Sequence, residues 1–240
     1  MRLKKYKVCV LAYSFKHNKT NDFINLLAKE KCLDLVIATS KVKLKIKSNW
    51  KPNEKKKKYK KLKTTVKLCF EKGISFHKIN HKNYIKIRSL IKKHQINLGI
   101  ISGARIIDEK IIKLFKYGII NFHPGKIPET SGLDSFFWTI KKKIFPYSTA
   151  HFIDKHIDKG KIIFEKRIKV YLRDNFYSLT KRIYREQINL LKKISIIIIK
   201  NQNFPTKIVS NYKKNNQMNT DEKKKIYYKE YLIWKKKIIK

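Results

Sequence analysis

Short apolar runs separated by amphipathic stretches constrain this chain more than anything else in it. Val8 to Tyr13, Leu33 to Thr39, Leu98 to Ser102 and Ile119 to Asn121 are each brief and almost free of polar alternation. Strands with that pattern are buried on both faces, as in a parallel sheet. Between them lie stretches of helical period. Thr20 to Lys31 sets Phe23, Ile24, Leu27 and Ala28 on one face, with Thr20 or Asn21 as its cap, and Tyr84 to His94 is amphipathic. Strand, helix, strand at the start of the chain is a βαβ unit. The alternation predicts an α/β fold: an open, mostly parallel twisted sheet with helices on both faces. Ligands of such sheets lie beyond the carboxyl ends of the strands.

The same periods place the remaining elements. Thr64 to Lys72 reads as a helix ending at Gly73, followed by a short strand around Ile74 to His77. Asp108 to Phe115 is a helix closed by Gly118, and Leu133 to Ile140 a buried helix whose Phe136, Phe137 and Trp138 are core. Thr149 to Ile153 and Lys161 to Val170 are strands, and Tyr177 to Lys200 is a long helix with a dense apolar face. Residues 1–200 thus read as one domain, interrupted at 41–63 by an exposed lysine-rich loop that includes Lys55 to Lys58. Residues 201–240 read as a basic tail. Within it, Tyr231 to Trp234 is expected to form a short amphipathic helix and a candidate homodimer contact.

Charge needs weighing here, because a net +43 from 60 basic and 17 acidic residues would ordinarily call for a polyanionic partner. Nearly all of it is lysine spread from end to end, enriched together with isoleucine and asparagine, as an A/T-rich coding bias produces. Phosphate recognition favours arginine for its bidentate contacts. Compositional bias is the preferred reading over a nucleic-acid or membrane surface. The three cysteines show no C-x-x-C spacing and read as small core residues of a reduced, cytoplasmic protein. Met1 to Lys5 and the apolar run after it resemble a signal peptide, but the run is short and lacks a small-residue cleavage site, so a first strand is expected. No apolar run approaches the ~20 residues of a membrane span. His17, His77, His81 and His94 lack metal-ligand spacing, and no metal is expected.

Chemistry concentrates at Asn121-Phe122-His123-Pro124. Residues two apart on a strand share a side, so Asn121 and His123 face one way and Phe122 the other. An amide donor beside an imidazole suits a reacting carbonyl. His123 alone would read as a structural hydrogen-bonding residue. Together with Asn121 and Asp158 of the later Asp154-Lys155-His156-Ile157-Asp158-Lys159-Gly160 segment, it reads as a site. His151 is either a site residue or a polar strand position. The side chains of Asp154 and His156 read as solvated, and Ser131 and Asp134 as caps of the helix that follows.

These residues resemble the 10-formyltetrahydrofolate-dependent formyltransferases. The resemblance rests on Asn121-Phe122-His123-Pro124-Gly125-Lys126-Ile127-Pro128, Ser131-Gly132, Trp138, Thr149-Ala150-His151 and Asp158-Lys159-Gly160-Lys161-Ile162, with Ile101 to Ile107 upstream. It implies transfer of a formyl group to a primary amine through a tetrahedral intermediate, with 10-formyltetrahydrofolate as co-substrate. Asn121 would donate to the oxyanion, His123 would stabilise it or carry a proton, and Asp158 would orient the imidazole and help move the amine proton. Ser102, Gly103, Ala104, Arg105, Ile106 and Ile107, with Phe152, Ile153 and Asp154, would line the folate. Ser14, Lys16, Pro124, Gly125 and His151 would lie on the acceptor side.

Departures from the family narrow the acceptor. Glycinamide ribonucleotide formyltransferases carry a glycine- and serine-rich phosphate loop after the first strand, where this chain has Ala12-Tyr13-Ser14-Phe15-Lys16-His17-Asn18. The segment after Asn201 is too short and polar for the C-terminal barrel of methionyl-tRNA formyltransferases. The compact enzymes acting on amino sugars, often nucleotide-linked, fit best. The alternatives are glycinamide ribonucleotide formylation and a non-catalytic basic domain that binds nucleic acid or anionic membrane.

Overall fold

The computed structural model describes residues 6–42, 48, 50–52, 62–104, 106–156, 158–209 and 214–239. Arg105, Lys55 to Lys58 and the Met1 to Lys5 start lie outside the described residues.

Seven strands form one sheet in the order β3-β2-β1-β4-β5-β6-β7. The first five are β1 (Val8–Tyr13), β2 (Leu35–Ser40), β3 (Ser75–Lys78), β4 (Leu98–Ile101) and β5 (Ile119–His123), and they run parallel. β6 (Tyr147–Phe152) and β7 (Ile162–Arg167) continue the sheet antiparallel. The four sequence runs are strands because alternate side chains meet apolar partners on both faces. Val8, Val10 and Ala12 of β1 point to one core, Cys9 and Leu11 to the other.

The first core is covered by α1 (Asn18–Leu27), α2 (Thr65–Glu71) and α6 (Phe176–Ile199), through Phe23, Leu27, Leu68, Leu190 and Ile194. The second is covered by α3 (Tyr84–His94) and α4 (Glu109–Ile112), through Ile87, Leu90 and Ile111. α1 begins two residues before the expected cap. His17 takes the N-cap position without a side-chain capping bond, its Nδ1 lying 2.9 Å from Thr20 Oγ1, and Asn21 is spent on both backbone groups of Lys63, accepting from its N–H at 3.0 Å and donating to its carbonyl at 2.9 Å. Cys9 and Cys69 are buried core residues, whereas Cys32 is exposed.

A third core joins α5 (Ser135–Lys141) and the start of α6 to the C-terminal elements α7 (Thr220–Lys225), a π-helical turn (Ile226–Glu230) and α8 (Tyr231–Ile239). Tyr231 and Trp234, expected on a dimer surface, point inward at 4% and 2% exposure, and it is Leu232 and Ile233 that face out. Their inward turn follows from the packing of Phe136, Phe176 and Tyr227, whose rings lie 5.7 to 5.8 Å from one or other of them or from each other. Trp50 and Pro52 of the lysine-rich loop also leave solvent, Trp50 lying against Phe137 and Tyr227. No helix among the described residues is long and apolar enough to cross a membrane.

Phe122 ties the sheet to α1, its ring edge-on to Phe23 at 5.0 Å and 1% exposed. Phe122→Ala removes that anchor between Asn121 and His123. Urea denaturation should show a loss of about 3–5 kcal/mol, the usual cost of an aromatic-to-alanine cavity; a loss below ~1 kcal/mol would contradict this packing.

Candidate active site

β5 ends in Asn121-Phe122-His123, and its antiparallel neighbour β6 sets His151 directly opposite Asn121 and Thr149 opposite His123. The turn between β6 and β7 then brings Asp158 back over this edge. Asp158 holds a left-handed backbone, φ +51°. Gly160, just beyond it, passes so close to β6 that a Cβ there would lie 1.8 Å from the Phe152 carbonyl oxygen. Only glycine fits that approach, which is the physical content of the D-x-G pattern.

Four polar side chains meet at the strand edge. His123 Nδ1 lies 3.2 Å from Asp158 Oδ2, and His151 Nε2 lies 3.4 Å from Asp158 Oδ1. Asn121 Nδ2 is 3.2 Å from His151 Nε2 and donates to Asp158 Oδ1 at 3.4 Å. Asp158 Oδ2 also accepts the Gly132 N–H at 2.8 Å, and its backbone carbonyl accepts Ser131 Oγ–H at 3.2 Å. The other nitrogen of His123 faces the Thr130 carbonyl at 2.9 Å. His123 therefore sits between two acceptors, a setting that holds a proton on each nitrogen when the ring is charged. Oδ1, with only 3.4 Å contacts, is the carboxylate oxygen most open to a new hydrogen bond.

The electrostatics oppose one another in a usable way. Burial works against the Asp158 charge, but His123, His151 and the Gly132 N–H outweigh it and hold the carboxyl below the usual range. Burial pushes the His123 pKa down; Asp158 and the Thr130 carbonyl oppose this, while His151 and Lys19 reinforce it, leaving it below its ordinary value.

Lys19 is the residue that sequence reasoning missed. From the first turn of α1 its Nζ donates to the Phe122 carbonyl at 2.8 Å, with the Phe23 and Phe122 rings 5.3 and 5.9 Å away. Burial pushes its pKa down to about 7 against the opposing pull of Asp158. The only signal for it in the sequence was its place one helix start after β1, and in a chain of this composition one more lysine carries no distinction.

The other expected site residues divide. Ser102 is buried, with Oγ on the Leu11 carbonyl at 3.3 Å and 3.2 Å from Thr20 Oγ1. Gly103 is pressed under Tyr13, where a Cβ would come within 2.6 Å of the ring, and Tyr13 Oη donates to the Ala104 carbonyl at 3.1 Å. Ile106 is 57% exposed, while Ile107 and Ile153 belong to the second core. Phe152 packs against Phe204, and the Asp154 side chain accepts the His156 N–H at 2.8 Å with the His156 ring 3.8 Å away. Gly125 lies beneath His123, where a Cβ would stand 3.0 Å from Nε2, and its carbonyl accepts from Thr149 Oγ1. Pro124 and Lys16 are exposed. The Ser14 N–H is committed to Ser40. Asp134 takes the N-cap position of α5, but neither its side chain nor that of Ser131 makes a capping hydrogen bond. Ser131 turns to Asp158, and the Asp134 carboxylate is taken by the C-terminal segment, pairing with Lys223 at 2.7 Å and accepting the Met218 N–H at 3.0 Å. Among the described residues no group of three or more His, Cys, Asp or Glu is arranged to hold a metal ion.

An amide, two imidazoles and a carboxylate thus meet at one edge of a mostly parallel sheet. The chain belongs to the formyl transferase family, whose sequence pattern it matches over residues 42–194. It is 26% identical over 97 residues to the phosphoribosylglycinamide formyltransferase of Bacillus subtilis, which covers 40% of this chain and 50% of that protein. The chain spans about half or less of the curated relatives it matches. Two solved structures share the fold. A Helicobacter canadensis N-formyltransferase, in complex with folinic acid and dTDP-3-aminofucose, has TM-score 0.63 at 18% identity over 89% of this chain and 72% of that one. The phosphoribosylglycinamide formyltransferase of Anaplasma phagocytophilum has TM-score 0.62 at 16% identity over 89% and 100%.

The charge arrangement fixes a sign for pH. His123 has a folded pKa below 6.5, so the unfolded chain takes up its proton first as pH falls. Its contribution to stability is complete above about 6.5 and is lost on acidification toward the folded value. Asp158 behaves likewise lower down: its contribution is present above the unfolded carboxylate value of about 3.9 and is lost as pH falls through its depressed pKa. NMR titration should find the His123 ring below 6.5, and lower still in Asp158→Asn. A ring titrating above 6.5 in the unaltered chain would contradict this balance.

Proposed function

We propose that this protein transfers a formyl group from 10-formyltetrahydrofolate to a primary amine on an amino sugar or sugar nucleotide. The observation that carries the reading is the Asn121, His123 and Asp158 cluster at the end of β5. The acceptor nitrogen adds to the formyl carbon, and the carbonyl oxygen becomes an oxyanion. Asn121 turns its amide hydrogen from the long 3.4 Å contact with Asp158 to that oxygen. The amine proton passes to the Asp158–His123 pair, whose imidazolium is stabilised by the carboxylate on one nitrogen and the Thr130 carbonyl on the other. The bond from the formyl carbon to N10 then breaks, and N10 keeps the electron pair and takes up a proton.

The acceptor reading is supported by the segment after β1. A backbone phosphate cradle needs bare N–H groups on a glycine-rich loop. Here Tyr13 and Phe15 stack at 4.8 Å across the segment and the Ser14 N–H is occupied by Ser40. Lys19, whose Nζ donates to the Phe122 carbonyl, lies beside the cluster with its pKa lowered by burial to about 7, and an anionic acceptor bound there would favour its charged form.

The test is release of tetrahydrofolate, followed by absorbance, with a panel of amino-sugar nucleotides and glycinamide ribonucleotide. Turnover is expected on a sugar nucleotide and should fall about 10²–10³-fold in Asn121→Ala, the usual cost of one oxyanion donor, with large losses in His123→Ala and Asp158→Asn as well. Preference for glycinamide ribonucleotide would move the acceptor to purine chemistry. Full activity in all three variants would sink the mechanism.

A further inference from the structure

The C-terminal segment 214–223, polar in sequence, converges on the loop that holds Asp158. Asn215 is its centre and is 8% exposed. Its N–H and Nδ2 both donate to the Ser131 carbonyl, at 3.2 and 3.0 Å, and Nδ2 also reaches the Glu129 carbonyl at 3.0 Å. Its Oδ1 accepts from Lys142 Nζ at 2.7 Å. Three residues on, Met218 donates its N–H to Asp134 Oδ2 at 3.0 Å. Lys223, 2% exposed, pairs with Asp134 Oδ1 at 2.7 Å and donates to the Ser48 carbonyl at 3.0 Å. Both ends of residues 129–134 are thus held from one side by the same segment. From the other side of that loop, Gly132 N–H and Ser131 Oγ–H hold the carboxylate and carbonyl of Asp158. Gly132 has φ +95°, and a Cβ on it would stand 3.0 Å from the Asn215 carbonyl oxygen, so the two layers are in direct contact. A buried ammonium cannot leave its carboxylate cheaply, which makes Lys223 a fixed post rather than a loose tie.

We propose that residues 214–223 are a positioning element for the catalytic carboxylate: Asn215 and Lys223 fix the 129–134 loop, and Gly132 and Ser131 pass that constraint to Asp158. The proposal rests on Asp158 handling a proton in formyl transfer.

The test uses the full chain. Asn215→Asp keeps the acceptor for Lys142 and removes the two side-chain donations, and Lys223→Met removes the buried pair. Trp234→Phe serves as the control for general destabilisation, since its hydrogen bond runs to the Ile144 carbonyl, outside the 129–134 loop. Asn215→Asp and Lys223→Met should each lower kcat about 10- to 100-fold, the scale of a reacting group displaced by about 1 Å, with KM little changed. Both should also shift the His123 ring titration seen by NMR, a ring faced by Asp158, His151, Lys19 and the Thr130 carbonyl. Trp234→Phe should lower melting temperature without either change. If Lys223→Met does not fold, Asn215→Asp decides together with Lys142→Met, which frees Asn215 Oδ1. Unchanged kcat and His123 titration in the variants that fold would overturn the proposal, as would changes no larger than those of Trp234→Phe. The ring titration needs no substrate. A chain that shows the shift yet transfers no formyl group keeps the positioning role and loses the reaction.

Discussion

The Asp158 carboxylate is the point on which the rest of this structure depends. Two of its contacts, to His123 and His151, come from neighbouring strands, one from the Gly132 backbone, and the long fourth from Asn121. Without the carboxylate, His123 Nδ1 would lose its acceptor at a buried edge, while the Thr130 and Phe152 carbonyls would still face the other nitrogen of His123 and Nδ1 of His151. Burial alone would drive Asp158 toward its neutral form; the surrounding donors reverse that and keep it charged. Burial lowers the pKa values of His123 and Lys19, and the same negative charge opposes that lowering at both.

That balance depends on backbone approach distances that only small residues allow. Gly160 lets the β6–β7 connection fall onto the Phe152 carbonyl, which is what brings Asp158 over β5. Gly125 lets the segment after β5 fold beneath His123, so that the Thr130 carbonyl meets the ring. Between these two glycines, Thr149 Oγ1 binds the Gly125 carbonyl at 2.7 Å and fixes the spacing of β6 to that segment. The strand edge is thus rigid for steric reasons before any of its charges are considered.

The strands and most helices were legible in the sequence because their signal is local: a strand buried on both faces must be apolar, and a helix on a sheet must be striped. Strand period alone put Asn121 and His123 on one side, whereas Gly160 came with the resemblance, since the approach that requires glycine there is set by the Phe152 carbonyl. What escaped was decided by distant partners. Lys19 matters because Phe122, far along the chain, offers it a carbonyl, and Ser131 and Asp134 look like helix caps until a remote ammonium and carbonyl claim them. The 201–240 segment read as a tail for the same reason. Its apolar residues are sparse, and only their arrangement on α7, the π-helical turn and α8 brings Met218, Ile226, Tyr231 and Trp234 onto one side against α5 and α6.

Charge closes the argument in a chain with 60 basic and 17 acidic residues. Among the described residues most lysines face solvent, where exchanging one costs little. Carboxylates are scarce, and among the described residues three of them tie elements together, Asp158 and Asp174 buried and Asp134 partly so. Asp158 holds the histidines, Asp134 holds Lys223, and Asp174 binds Arg182 through both oxygens at 2.6 and 2.7 Å. Removing one partner of a fully buried pair costs about 3–5 kcal/mol, and less is expected at Asp174, where the Arg182 side chain is 31% exposed. The excess of lysine therefore says little about partners. The few acids mark where the fold is knotted: one at the strand edge that reads as catalytic, one at the loop that supports it, and one where α6 meets the C-terminal elements.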